Sequence, residues 1–318
     1  MPPSWILTPL PRKLAPTRWP LFRLMGCIVQ WAKLVAIRMG RNSAMPALPV
    51  IIRLNLHPAC RENAFPTAIA VSQPDEHSMT PDLQDKVILI TGASRGIGRA
   101  VAIAAAKAGA EIIMTGRTMS ALEETDDAIK AAGGKATIVE LDLADYAAMP
   151  RLAAAIHGRW GRLDGLLANA AMLGPLTPLS HLDDKVWDST ISVNLTAQWH
   201  LIRAMEPLLI AAPAGRAVLV SSGVAEGIAP FWGPYAISKA GLEAMGRVWA
   251  GETEQTNLRI NMINPGGTAT GMRASAFPGE DPDSLPQPDD IAPAFLTLLS
   301  LDCNDHGKRF EARSMLGL

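Results

Sequence analysis

The sequence predicts one α/β domain over residues 81–318, a doubly wound parallel β-sheet with helices on both faces. Three observations predict it. Six short apolar runs alternate with helical stretches from residue 86 onward, an order that implies right-handed crossovers and a sheet covered on both sides. The first run leads directly into a glycine-rich turn, TGASRGIG (91–98). Finally, 48% of the 318 residues are hydrophobic and 19% charged, enough apolar surface for a large core, which excludes disorder over most of the chain.

The elements follow in order. KVILIT (86–91) is apolar and β-rich, so it reads as a buried parallel strand. RAVAIAAAKAGA (99–110) is rich in alanine with apolar residues at helical spacing, and Gly109 stands where a helix would stop. EIIMTG (111–116) is the second strand, and MSALEETDDAIKAAGG (119–134) a helix closed by paired glycines. ATIVELDL (136–143) is the third strand, followed by a helix to about Gly158; LDGLLAN (163–169) is the fourth. A long helical region covers 184–212, RAVLVSS (216–222) is the fifth strand, and a helix over 234–254 precedes LRINMIN (258–264), the sixth. Such a sheet binds ligands beyond the carboxyl ends of its strands, so the chemistry is expected just after residues 91, 116, 142, 169, 222 and 264.

Residues 1–80 differ from the rest. They carry nine Lys/Arg against three Asp/Glu, while residues 81–318 carry 20 against 27, and they hold 11 of the 25 prolines. That proline density argues against regular structure. The longest uncharged part of their most apolar stretch, 24–32, is far below the roughly 20 residues of a membrane span. The segment is expected to be a poorly ordered basic extension, or to lie upstream of the true start, for which Met79 is the natural candidate. A surface-lying basic helix and a cleaved targeting peptide are the alternatives.

Net charge of −1 gives no footprint for nucleic acid or anionic membrane. Cys27, Cys60 and Cys303 are too widely spaced for a disulfide framework and fit a reducing, cytoplasmic setting. The six histidines never approach metal-ligand spacing, so no metal is expected.

In the turn after the first strand, Gly92, Gly96 and Gly98 permit tight bending, close approach of a pyrophosphate and close helix packing. Ser94, Arg95 and Ile97 stand between them, and the helix start presents free N–H groups to phosphates. At the end of the second strand, where a carboxylate would bind the ribose 2′-OH of NAD, stand Gly116, Arg117 and Thr118. Arg117, with Arg95 nearby, favours a 2′-phosphate instead. NADP(H) is therefore the preferred cofactor, with NAD(H) as the second option.

Tyr235 and Lys239 lie one helical turn apart in YAISK (235–239), so their side chains share a face. An ammonium beside a phenol favours the phenolate and lowers a pKa that is ordinarily about 10, fitting it for proton transfer. Ser222 ends the fifth strand, where its hydroxyl can orient a substrate carbonyl. Tyr146 has no basic residue at i+4 and receives no role.

From about residue 83 onward the chain resembles the short-chain dehydrogenase/reductase family, which implies a Rossmann fold. The motif TGxxxGxG is matched by Thr91, Gly92, Gly96 and Gly98. The NNAG element is matched by Asn169 and Ala170 within ANAA, with alanine at 168 and 171. By the resemblance, Asp142 followed by Leu143 contacts adenine, and Pro265, Gly266 and Thr270 contact the nicotinamide amide and phosphates, with Thr268 as substitute for Thr270. The catalytic set is Asn194, Ser222, Tyr235 and Lys239: Tyr235 is the general acid/base, Lys239 lowers its pKa and holds the ribose, Ser222 positions the oxygen, and Asn194 holds a relay water. The implied activity is hydride transfer between nicotinamide and a small-molecule carbonyl or alcohol, similar to bacterial oxidoreductases of undefined substrate. A 3-oxoacyl thioester (acyl-carrier-protein) reductase and a non-catalytic dinucleotide sensor are the alternatives.

The stretch after Pro265, GGTATGMRASAFPGEDPDSLPQPDDIAP, corresponds to the family's substrate flap. Met272, Phe277, Phe231 and Trp232 are candidates for an apolar pocket wall or for plain packing; Glu226 reads as a solvated loop carboxylate. By analogy, the helices of 184–212 and 234–254 pair subunits into a homodimer or homotetramer.

Overall fold

Strand β1 (Val87–Thr91) is buried at every residue, and its side chains alternate between two cores. Ile88 and Ile90 point into one, Val87 and Leu89 into the other. This computed structural model describes residues 81–227 and 229–318, and the expectations for residues 1–80 lie outside the described residues.

After β1 come α1 (Gly96–Lys107), β2 (Glu111–Gly116), α2 (Met119–Ala131), β3 (Lys135–Glu140), α3 (Ala148–Trp160) and β4 (Gly165–Ala168). Next are α4 (Asp184–Ile191), α5 (Ala197–Ala211), β5 (Arg216–Val220), α6 (Gly233–Glu252) and β6 (Arg259–Asn264). The chain ends with α7 (Gly271–Ala276), α8 (Pro288–Leu299), β7 (Arg309–Glu311) and α9 (Ala312–Leu316). The strand order is β3-β2-β1-β4-β5-β6-β7, all parallel. This is the doubly wound Rossmann arrangement the alternation predicts. Order reverses between β1 and β4, so a crevice opens beyond their carboxyl ends.

One face of the sheet packs on apolar residues of α1, α2 and α8, including Val101, Ile129 and Phe295. The other packs on α3, α5 and α6 through Met149, Leu201, Met205 and Trp249. Each such side chain removed from water contributes about 1.5–3 kcal/mol, and together they hold the strand ends that carry the cleft.

Three expectations need correction. The sheet has a seventh strand: β7 pairs with β6 in the register Met262 to Arg309, although RFE carries two charges in three residues. The expected flap stretch runs into helix α8, which begins with Pro288 at its first turn and a reciprocal cap between Gln287 and Asp290. Ile291, Phe295 and Leu298 bury its inner face. The helical region 184–212 is interrupted by a π turn at Ser192–Thr196, a departure that often marks functional positions.

Candidate active site

The glycine turn joins β1 to α1. Gly92 (φ 67°) and Gly96 (φ 57°) occupy left-handed backbone, which side chains disfavour. Thr91 and Asn169 fasten this turn to the end of β4. The Thr91 hydroxyl accepts from the backbone N–H of Asn169 (3.0 Å) and of Ala170 (3.1 Å), and the Asn169 amide donates to the carbonyls of Thr91 (2.9 Å) and Gly92 (3.2 Å). The alanines flanking Asn169 and Ala170 therefore leave the junction tied. Ser94, Arg95, Gly96 and Ile97 line the cleft with Gly92, whereas Gly98 does not. A Cβ at Gly98 would sit 2.3 Å from the Gly92 carbonyl oxygen and 2.5 Å from the Asn169 amide. Gly98 thus packs beneath the turn, the close helix packing expected of the motif, rather than on the cleft surface. Gly98→Ala should destabilise the protein by about 1–3 kcal/mol, read as a lowered urea midpoint with unchanged slope.

Arg95 and Arg117 are exposed on the rim of this cleft. Among the described residues, neither forms a salt bridge. Asp142 and Leu143 line the same end. The Asp142 carboxylate accepts from Ala144 N–H at 2.9 Å, which fixes the turn after β3.

Tyr235 opens α6 and is 7% exposed; Lys239, one turn on, is 2% exposed. The Lys239 amine donates to the Val220 carbonyl at 2.6 Å and lies 5.8 Å from the centre of the Tyr235 ring. Both line the cleft with Ser222. Burial lowers the Lys239 pKa to about 8. Burial also raises that of Tyr235, with the Ser222 hydroxyl pulling it partway back. Spacing puts Lys239 on the tyrosine's face, and the nearest partner of its amine is the Val220 carbonyl.

Asn194 lies in the π turn, 1% exposed, and does not line the cleft. Its amide oxygen accepts from Met172 N–H (2.8 Å), and its amide nitrogen donates to the Met172 carbonyl (2.8 Å) and to the Ser238 hydroxyl (3.1 Å). Ser238 donates in turn to the Tyr235 carbonyl (2.7 Å). The Asn194 side chain therefore joins the loop after β4 to the first turn of α6. Tyr146 hydrogen-bonds Ser192 at 2.6 Å and stacks on His200, ring centres 4.4 Å apart, a packing role outside the cleft.

Beyond β6, Pro265, Gly266, Thr268 and Thr270 all line the cleft, so the structure brings together both threonines between which the sequence wavered. Thr270 caps α7 by accepting from Arg273 N–H at 3.2 Å. Thr268 is 3% exposed and donates to the Gly266 carbonyl at 3.4 Å. The cleft measures about 320 Å³.

Sequence reasoning missed a buried ionic cluster behind these loops. Glu243 accepts from the Ser221 hydroxyl (2.5 Å) and from Arg309 Nε (2.7 Å), and Arg309 reaches Glu226 (3.2 Å) and Glu311. Glu226 is therefore paired through Arg309, although 60% of its side chain is exposed. One signal was available: Glu243 follows Lys239 by four residues, on the helix face already chosen. Among the described residues, no helix is long and apolar enough to cross a membrane, and no His, Cys, Asp and Glu cluster suits a metal.

The model of the family described as short chain dehydrogenase matches residues 86–281. YciK of Escherichia coli, described as an uncharacterized oxidoreductase, is 41% identical over 235 residues, covering 73% of this chain and 93% of that protein. A solved short chain dehydrogenase of Escherichia coli, complexed with NADPH, aligns with a TM-score of 0.71 and 42% identity, covering 74% of this chain and 99% of that one. An uncharacterized NAD-dependent oxidoreductase of Mycobacterium tuberculosis is 36% identical over 204 residues, covering 60% of this chain and 74% of that protein.

Proposed function

This chain belongs to the short-chain dehydrogenase/reductase family of oxidoreductases, and we propose that it uses NADP(H) to interconvert a carbonyl compound and its alcohol, with Tyr235 as general acid/base. The observation that carries this reading is one cleft lined by the glycine turn, two rim arginines without ion-pair partners among the described residues, and the trio Ser222, Tyr235 and Lys239.

The cleft fits the cofactor. Gly92 and Gly96 keep backbone clear of side chains where a pyrophosphate would rest, and Ser94, Arg95 and Ile97 offer it backbone N–H groups at the start of α1. Arg117 and Arg95 would hold the 2′-phosphate, and Asp142 and Leu143 would border the adenine. Asn169 and Ala170 would flank the ribose side, and Pro265, Gly266, Thr268 and Thr270 would hold the nicotinamide end. When bound, the nicotinamide supplies or takes up the hydride, the protein contributing position and charge.

Ser222 orients the substrate oxygen and Tyr235 gives it a proton in the reduction direction. Lys239 holds the cofactor ribose and, as an ammonium below about pH 8, steadies charge that develops on the phenol. Both side-chain amide hydrogens of Asn194 are committed to Met172 and Ser238, so the relay water that the family resemblance implies would rest on its backbone in the π turn. A carbonyl and alcohol panel with NADPH or NADP⁺, followed at the reduced-nicotinamide absorbance band, tests the reading; tight NADPH binding without turnover on any member would favour a dinucleotide sensor.

Arg117→Asp should reverse cofactor preference by removing the cation and adding a carboxylate for a ribose 2′-OH. Losing one charge-assisted phosphate contact of about 1.5–3 kcal/mol lowers NADPH affinity by about 10–150-fold. Titration of both reduced cofactors by fluorescence checks this, and an unchanged affinity ratio would contradict it. Trp199, Ile237 and Val248 stand exposed on α5 and α6, which supports a homo-oligomer joined through those helices. A free, buried Cys303 is compatible with the cytoplasm as the working compartment.

A further inference from the structure

Beyond Tyr235 the cleft is walled by Met172, Leu173, Trp232, Met272 and Ala276. The Trp232 ring centre lies 6.0 Å from that of Tyr235 and 5.8 Å from that of Phe277, both tilted contacts. Arg273 lies over the outer ring, its guanidinium carbon 3.8 Å from the Phe277 centre. Its Nε and Nη2 meet both oxygens of Glu280 at 2.5 and 2.6 Å, so the only cation in this wall among the described residues is already neutralised and serves as a plate behind the aromatic ring.

The apolar surface continues out of the cleft. Phe231, next to Trp232, has φ 75° and is 57% exposed; its carbonyl accepts from Thr177 N–H at 3.0 Å. Leu179 is 58% exposed, and its Cδ1 would lie 3.1 Å from a Cβ at Gly233. Leu176 and Phe277 are also exposed. A bulky residue held in left-handed backbone and turned to solvent opposes folding twice over, and a contiguous exposed apolar patch marks a binding surface. Its continuity with the cleft identifies the occupant as the outer part of whatever presents an oxygen to Ser222 and Tyr235.

Charge narrows the class. Of the charged side chains lining the cleft, Lys239 lies beside the tyrosine and Arg273 is paired; Arg95, Arg117 and Asp142 belong to the glycine-turn end. No unpaired cation among the described lining residues stands at the aromatic end to receive a carboxylate or phosphate. We infer that the substrate is a neutral carbonyl or alcohol compound with a bulky, ring-bearing apolar body. That body rests on Trp232 and Phe277 and extends over Leu179 and Phe231. This deepens the proposed function and rests on its assignment of Ser222 and Tyr235 to the reacting oxygen.

Calorimetric titration of the full chain saturated with NADP⁺ tests it, using 2-acetylnaphthalene, 2-butanone and 6-acetyl-2-naphthoate, with NADPH titrated separately. The neutral aryl ketone should bind at least about tenfold tighter than either of the others, and Trp232→Ala should weaken it about tenfold with NADPH affinity unchanged. Phe277→Ala, nearer the surface, should weaken it in the same direction should the tryptophan variant misfold. Equal affinity for 2-butanone or the naphthoate, or undiminished binding in both variants, overturns the inference. So does absence of probe binding while NADPH still binds, an outcome that leaves the cofactor reading standing; failure of NADPH to bind overturns both.

Discussion

Tyr235→Phe is expected to lower turnover by about 10²–10⁴-fold, the range for loss of a positioned general acid, while NADPH affinity stays within about twofold. The substitution removes one oxygen and keeps the ring in its contact with Trp232, so the first turn of α6 remains packed. The hydroxyl that disappears is the one that shares the cleft with Ser222. Burial raises the Tyr235 pKa and the serine only partly offsets that, so the phenol stays protonated through neutral pH, as an acid must. Lys239, with a pKa of about 8, keeps its charge below that value and loses it above. Carbonyl reduction should therefore hold steady through neutral pH and fall as pH rises past about 8. A variant retaining more than a tenth of wild-type turnover on a proven substrate would remove Tyr235 from the chemistry; a pH profile flat to pH 10 would remove Lys239 from its support.

How much of this site could be read from residues alone depended on range in sequence. The glycine turn and the Tyr235–Lys239 pair were legible because their chemistry is written within eight residues, and the alternation of elements placed both at strand ends. Spacing puts the lysine on the tyrosine's face without saying which oxygen its amine finds, and the answer, Val220, comes from the neighbouring strand. Asn194 was found as a residue, yet its side chain proves to be structural because Met172, 22 positions away, takes both its acceptor and one donor. Helix α8 did carry signals, Pro288 followed by Asp289, Asp290 and an apolar run, but the prolines before it gave the whole stretch the look of a loop. Strand β7 had none: two of its three residues are charged, and the partner of Arg309 is Glu243, 66 positions earlier.

That last pairing yields the largest stability effect expected. Glu243 is 3% exposed, so its carboxylate has given up water and depends on its partners. Arg309, its side chain 14% exposed, supplies Nε at 2.7 Å, Ser221 its hydroxyl at 2.5 Å, and Arg247 a weaker contact at 3.5 Å. Arg309→Met keeps much of the stem and leaves that carboxylate underpaired, which should cost about 3–5 kcal/mol. Arg309→Lys should recover only part, because an ammonium cannot serve Glu243, Glu226 and Glu311 from a planar fork. Arg309→Met combined with Glu243→Gln should lose less than the sum of the two single changes, since no buried charge is then stranded. Urea unfolding followed by circular dichroism measures the wild type and all four variants, Glu243→Gln alone included. The cluster also has a reach into the cleft: Glu311 accepts from the Asn264 side-chain amide nitrogen at 2.6 Å, and the Asn264 side-chain oxygen Oδ1 accepts from Gly266 N–H at 3.0 Å. Glu243 meanwhile fixes Ser221, the neighbour of Ser222. A destabilised Arg309→Met should therefore also bind NADPH more weakly, under conditions where it is still folded, because the turn at Gly266 has lost its brace. A loss below about 1 kcal/mol would show that Arg247 and Ser221 suffice to hold Glu243, and that β7 is kept in the sheet by its backbone pairing with β6 rather than by charge.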